Sequence, residues 1–238
     1  MGKKILFCLP YAGGSSYIYH NWKSSFQKQN IEVKALEYPG RGSRMDESFS
    51  WSLGELVEDL YRQVRSDILL YDYAIFGHSM GSLLAYELTK RIEKDHLPRP
   101  SCLFLSGAKT PWDHDRNSML HLLPDEEFFK EIQKLGGIPD EVTSHPELLK
   151  LIIPILKSDF KLLGEHRFIL QELNTPIICL NGRSDYKPQE LNGWSNATSQ
   201  EINFFDFQGD HFYLNDNANA LEIFEIISSH LKPKPIRV

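Results

Sequence analysis

Ser79 lies between two glycines in Gly77-His78-Ser79-Met80-Gly81, the G-x-S-x-G spacing that lifts a serine hydroxyl on a tight strand-to-helix turn. Such a hydroxyl attacks a carbonyl carbon once a base removes its proton. The neighbours fit that turn. Tyr73-Ala74-Ile75-Phe76 reads as a short buried strand, and Leu84, Leu88 and Ile92 then recur every fourth residue, as on one helix face. The plain alternative is a serine that only caps the helix beginning near Met80, but a cap needs neither glycine. At an elbow of this kind the Met80 amide is free to donate to a developing oxyanion.

A serine nucleophile needs a base and an acid, and two later loops offer them. Asp185 ends Gly182-Arg183-Ser184-Asp185, just after the apolar run at 176–181. His211 stands in Gln208-Gly209-Asp210-His211-Phe212, after a strand predicted at 201–207. The order Ser79, Asp185, His211, each after a different strand, is that of α/β-hydrolases. In it His211 would take the serine proton, and Asp185 would hold the imidazole in the working tautomer.

Of the nine histidines, only His211 follows a late strand on the ligand side. His78, beside the serine, should point away from it. His114, His121, His145 and His166 fall in a helical segment, and His20, His96 and His230 on helices or their ends. Asp113 is the rival acid; Asp206 and Asp210 are too near His211 in sequence to come from a separate loop.

These residues need a scaffold with several strands ending on one side. Lys4–Leu9 reads as the first strand, and the loop Pro10-Tyr11-Ala12-Gly13-Gly14-Ser15 lies at its carboxyl end, where open α/β sheets bind ligands. The Ala12 amide is the expected second oxyanion donor beside Met80; an ordinary strand-to-helix turn is the competing reading. Ile18, Trp22 and Phe26 mark a helix face, and 31–36 a second strand. Arg41, between Gly40 and Gly42, reads first as a solvated loop residue; the competing reading, which makes it a candidate site residue, has it face the site entrance. Ser52-Leu53-Gly54-Glu55 is a capping box that opens an amphipathic helix reaching Ile68.

After a strand at 101–106 the alternation of strand and helix stops. The region at about 112–171 is expected to be an inserted helical lid. Its first helix starts at Pro124-Asp125-Glu126-Glu127 and stops at Gly136-Gly137; the second starts with the capping box Ser144-His145-Pro146-Glu147, and Pro154 should kink it. The second helix is apolar nearly all round, so it is either an ordinary core helix or the wall of a chamber above Ser79. Phe128, Phe129, Ile132, Ile152 and Leu156 are the candidate lid and substrate residues.

The 238 residues suit one domain spanning 1–238, an α/β-hydrolase fold with a mostly parallel central sheet and helices on both faces. A net charge of −6 without an interior Lys/Arg run gives no footprint for nucleic acid. The amino-terminal apolar stretch ends at Pro10, too short for a signal-peptide core or membrane span, so the expected compartment is the cytoplasm. Cys8, Cys102 and Cys179 each lie in a strand-like run with no C-x-x-C spacing, as buried core thiols do.

Taken together, Pro10-Tyr11-Ala12-Gly13-Gly14-Ser15, Pro39-Gly40-Arg41-Gly42, Gly77-His78-Ser79-Met80-Gly81, Leu135-Gly136-Gly137-Ile138-Pro139, Ser158-Asp159-Phe160 and Gly209-Asp210-His211-Phe212 resemble, in order, segments of the type II thioesterases of nonribosomal peptide and polyketide synthases. The resemblance spans nearly the whole chain. It implies hydrolysis of acyl or aminoacyl groups from the phosphopantetheine thiol of an acyl or peptidyl carrier protein, through an acyl-serine. It implies no metal and no cofactor; with the charge and the short apolar stretch above, no nucleic acid and no membrane are expected as partners, and a monomer is expected. Gly164-Glu165-His166-Arg167 and Asn181-Gly182-Arg183 depart from the family pattern, which leaves the acyl preference open. Arg41, Arg44, Arg183 and Lys187 are candidate carrier contacts. A general carboxylester or lipid hydrolase and a non-catalytic carrier-binding scaffold are the rival readings.

Overall fold

Six apolar segments become strands: β1 (Lys4–Leu9), β2 (Ile31–Ala35), β3 (Asp72–His78), β4 (Leu103–Ser106), β5 (Ile177–Gly182) and β6 (Ile202–Phe207). The structure is a computed structural model, and the residues it describes are 2–112, 119–134 and 146–231. The strands form one sheet in the order β2-β1-β3-β4-β5-β6, with every pairing parallel. Leu6 lies opposite Val33 on one side and Ala74 on the other, and Phe76 opposite Cys8 and Phe104. Both faces of such a sheet are covered, which is why these strands read as continuous apolar runs.

The covering helices are α1 (His20–Gln27), α2 (Leu53–Ile68), α3 (Met80–Lys94) and α7 (Asn217–His230). Successive strand residues point to opposite faces. Ile5, Phe7 and Leu9 therefore share a core with Leu60 and Val64 of α2 and Leu84 and Leu88 of α3. Leu6 and Cys8 pack instead with Trp22 and Phe26 of α1 and Ile223 and Ile227 of α7. The three cysteines are buried free thiols.

The helix starts follow the sequence. Ser52 Oγ accepts the Glu55 N–H at 3.2 Å, and the Glu55 carboxylate reaches back to the Trp51 N–H at 2.9 Å, one residue earlier than a capping box requires. A cap of this type stabilises a helix by about 1 kcal/mol. At α7, Asp216 accepts from the Ala218 and Asn219 amides.

Between β4 and β5 the chain forms α4 (Asp125–Lys134) and α5 (Pro146–Glu165), and after β5 a short α6 (Pro188–Leu191). Asp113, the Leu135-Gly136-Gly137-Ile138-Pro139 segment, residues 144 and 145 of the capping box and the side chain of Pro146 lie outside the described residues. Helix α5 runs without interruption through Pro154. Phe128, Ile132 and Leu156 cluster together under α4 and α5, with Phe160 and Ile152 packed against them. Among the described residues no helix is long and apolar enough to cross a membrane.

Candidate active site

Strand order reverses between β1 and β3, where the next strand in sequence crosses back over the first. The crevice at the carboxyl ends of such neighbouring strands is the usual ligand site of an α/β sheet. Loops from β1, β3, β4, β5 and β6 meet there around a cavity of about 190 Å³, whose walls include Ala12, Ser79, Met80, Gly107, Asp185 and His211. Leu83, Phe160 and Leu163 form its apolar side. A larger depression of about 630 Å³ between α1 and the β2 edge holds none of these groups and is lined by solvated residues such as Lys3, Lys23 and Glu32.

Ser79 adopts φ +54° and ψ −117°, and its side chain makes no capping bond to α3. The cap alternative is therefore excluded. A non-glycine residue held in this region carries about 1–3 kcal/mol of strain, so neighbouring bonds must fix it. Ser79 N–H donates to the Ser106 carbonyl at 2.8 Å, and Ser82 Oγ lies 2.8 Å from both the Gly77 and Ser106 carbonyls. A Cβ on Gly77 would strike the Gly81 carbonyl, and one on Gly81 would strike that of Leu9. Both glycines are thus demanded by close backbone approach.

His211 Nδ1 lies 2.7 Å from Asp185 Oδ2, and both side chains are mostly buried. The two loops are joined by Ser184 N–H donating to the Gly209 carbonyl and Arg183 N–H to that of Phe207. Asn181 Nδ2 holds the acid loop through the Tyr186 carbonyl at 2.8 Å, and Asn219 Nδ2 holds the histidine loop through the Gln208 and Tyr213 carbonyls. Two other acids near His211 in sequence are engaged elsewhere: Asp210 accepts the Phe212 N–H, and Asp206 accepts from Asn181. Such an Asp–His pair orients an imidazole whose other nitrogen can exchange a proton with a nucleophile.

Two amides at the cavity wall, those of Met80 and Ala12, have no backbone acceptor among the described residues. Met80 opens α3, so its N–H has no intrahelical acceptor. In the β1 loop Gly14 N–H donates to the Tyr11 carbonyl at 2.9 Å, closing a turn in which Gly13 has φ +78°. Because a trans peptide sets N–H opposite C=O, the Ala12 N–H points out of that turn. Among the described residues it has no hydrogen-bond partner.

His78 does not face the serine's reaction path. It is fully buried, with Nδ1 2.8 Å from Ser106 Oγ, which in turn lies 2.6 Å from the Tyr213 hydroxyl. Burial, and then the nearby His211, push its pKa well below the usual imidazole value. A neutral His78 places no positive charge beside His211.

Arg41 is a correction to the sequence expectation. It is 3% exposed and does not stand at the mouth; its guanidinium makes a two-point ion pair with Asp159 of α5, both bonds 2.6 Å. Asp159 compensates the charge and lets arginine enter the interior. Arg44 is likewise engaged, with Asp59 at 2.5 Å and with Glu47, whereas Arg183 and Lys187 are exposed.

The expected lining of the chamber also needs correction. Phe128, Ile132, Ile152 and Leu156 pack on one another, Phe129 is half-buried, and none of the five borders the cavity. Phe160 and Leu163, one and two turns after Leu156 on α5, take that place. The readable signal was their i, i+3 spacing at the carboxyl half of the same helix. Ser106 and Tyr213 carried no such signal, being an ordinary strand end and a residue two beyond His211.

The parallel sheet, the inserted helices and the elbow serine define an α/β-hydrolase. The model of the thioesterase domain family matches residues 4–231, and the chain belongs to that family. It is 32% identical over 233 residues to the gramicidin S biosynthesis protein GrsT of Aneurinibacillus migulanus, covering 97% of this chain and 90% of that protein. Among solved structures it is similar to ClbQ from the colibactin NRPS/PKS pathway, with TM-score 0.89, 33% identity and 97% of each chain covered. It is also similar to the type II thioesterase BorB from the borrelidin cluster, with TM-score 0.85, 32% identity and 97% and 93% coverage. The chain is a thioesterase, and its chemistry is thioester hydrolysis.

Proposed function

We propose that this enzyme is a type II thioesterase that removes acyl or aminoacyl groups from the phosphopantetheine arm of carrier proteins in nonribosomal peptide or polyketide synthesis. The observation that carries the reading is a strained Ser79 in one cavity with a His211 braced by Asp185. Likeness to GrsT, ClbQ and BorB supports the pathway class.

In this mechanism His211 takes the Ser79 proton as Oγ attacks the thioester carbonyl, and the oxyanion receives the Met80 and Ala12 N–H groups. Collapse breaks the C–S bond, and the proton passes from His211 to the departing sulfur. A thiol with an ordinary pKa near 8.5 leaves more readily than an alcohol, so acylation asks little activation. His211 then deprotonates water, which attacks the ester; the acid departs and Ser79 recovers its proton. Helices α4 and α5 act as the lid of a single domain, with Phe160 and Leu163 against the acyl group. Exposed Arg183 and Lys187 remain the carrier contacts. The enzyme works in the cytoplasm, as a monomer.

The test is hydrolysis of one acetyl group on a carrier protein and on a small soluble thioester, by the native enzyme and Ser79→Ala. Serine-dependent turnover that is faster on the carrier supports the reading. Equal turnover on the soluble substrate points to a general ester or thioester hydrolase, and carrier binding without turnover points to a scaffold.

A further inference from the structure

The β1 loop has an unusually complete set of anchors. Tyr38 OH donates to the Pro10 carbonyl at 2.9 Å, Gly14 N–H to that of Tyr11, and Gly13 N–H to Asp159 Oδ2 at 2.8 Å. Arg41 Nη1 lies 3.4 Å from the Gly14 carbonyl while it pairs with Asp159. Leu156, one turn before Asp159, occupies the space where a Cβ on Gly13 would project. Amid these fixed groups the Ala12 N–H is left for a ligand at the cavity wall.

We propose that Asp159 is a positioning residue for the oxyanion site: from helix α5, and together with Arg41, it clamps the Gly13–Gly14 backbone so that the Ala12 N–H is held toward the cavity. The inference rests on the reading of Ser79 as nucleophile. Asp159 is 0% exposed, and its carboxylate has three donors, two from Arg41 and one from Gly13. Stability alone is a weak reason for burying this pair, because apolar side chains of similar volume usually pack as well. What an apolar residue cannot supply is an acceptor for the Gly13 N–H and a counter-charge for the arginine that holds Gly14.

Glycine makes the clamp necessary. In a four-residue turn with φ near +80° at its third position, the central peptide can rotate between alternative turn forms. Here that peptide is Ala12–Gly13, and Asp159 fixes its N–H end; the Ala12 N–H sits on the adjoining Tyr11–Ala12 peptide, so the clamp acts on it through Ala12 Cα and by keeping Gly14 N–H on the Tyr11 carbonyl. A withdrawal of α5 also withdraws Asp159, so the same helix that covers the cavity sets the loop beneath it. Misplacing a donor by about 1 Å is enough to lower a rate by about 100-fold.

The test compares the native enzyme, Asp159→Ala, Asp159→Asn and the control Lys157→Met, which removes a contact of α5 with Asp125 and the Leu123 carbonyl. Acetyl-pantetheine hydrolysis gives kcat and KM, and an alkyl boronic acid that adds to the serine reports the tetrahedral, oxyanion-bearing state. Folding is checked by circular dichroism and thermal melting. Asp159→Ala is expected to lower kcat about 100-fold and weaken boronic acid binding to a similar degree, with KM changed less than about 2-fold.

Asp159→Asn keeps one oxygen for Gly13 but loses the charge that holds Arg41, and is expected to lose about 10-fold in kcat. It also carries the test should the alanine variant not fold. Lys157→Met is expected to keep the native kcat. Native kcat in either folded Asp159 variant, or a loss wholly in KM with unchanged boronic acid affinity, would overturn the proposal. Ser79→Ala in the same assay tests the underlying reading by itself, so failure of the nucleophile and failure of the clamp are told apart.

Discussion

His211 Nδ1 and Asp185 Oδ2 meet at 2.7 Å across two loops from adjacent parallel strands, β5 and β6. The pairing follows from topology. Residues 26 apart in sequence are brought together because both strands end on the same side of the sheet.

Asp185→Asn should leave the fold intact and cut kcat by about 10⁴, because an amide stabilises the wrong imidazole tautomer and cannot offset the imidazolium charge. Steady-state kinetics beside a thermal melt checks this. A small change in kcat would remove Asp185 from the role of acid.

Gly81→Ala should destabilise the protein by about 3 kcal/mol, since the new Cβ meets backbone carbonyls of Leu9 and Pro10 that cannot move alone. Gly54→Ala is the control. It lies in an exposed helical turn where a Cβ meets only Ser52 Oγ at 3.8 Å, and should stabilise by about 0.5–1 kcal/mol. Urea unfolding of both variants measures the difference.

The neutral, buried His78 links stability to pH. Its folded pKa is lowered, by burial first and by His211 second, so below the unfolded value of about 6.5 the unfolded chain binds a proton that the folded protein refuses. Stability therefore falls as pH drops below about 6.5, by up to about 1.4 kcal/mol per pH unit, and this contribution vanishes above it. Urea midpoints from pH 7.5 to 5 should show a slope that His78→Gln reduces. Equal slopes would place the titration elsewhere.

Phe160→Ala should enlarge the apolar side of the cavity and favour longer acyl chains. A methylene accommodated in such a pocket is worth about 10-fold or more in kcat/KM. The ratio of octanoyl to acetyl thioester hydrolysis is the measurement, and an unchanged ratio would place the acyl group against another wall.

Much of the fold is legible because a doubly covered parallel sheet leaves long apolar runs. The predicted strand at Lys4–Leu9 has the observed limits, and the others differ by one to three residues at their ends, where the ladder and not the side chains decides. The elbow was legible for a related reason, since two glycines at fixed spacing are a steric requirement of backbone contact. Arg41 was misplaced because charge and flanking glycines both suggest a solvated loop. Only its partner on α5, 118 residues away, reverses that, and no local pattern encodes such a pairing. The same holds for His78, Ser106 and Tyr213, a buried polar chain built from three separate segments. The lining of the cavity failed differently: apolar spacing on α5 identifies a helix that packs, but not which of its turns faces the cavity.

The proposed mechanism runs through a covalent intermediate at Ser79. The direct measurement is peptide mapping by mass spectrometry of enzyme quenched during turnover of an acetyl thioester, with Ser79→Ala in parallel. One acetyl group is expected on the peptide that carries Ser79, formed and lost at rates compatible with turnover, and none in Ser79→Ala. Undiminished hydrolysis by Ser79→Ala, or an acetyl group that accumulates on another residue, would contradict it.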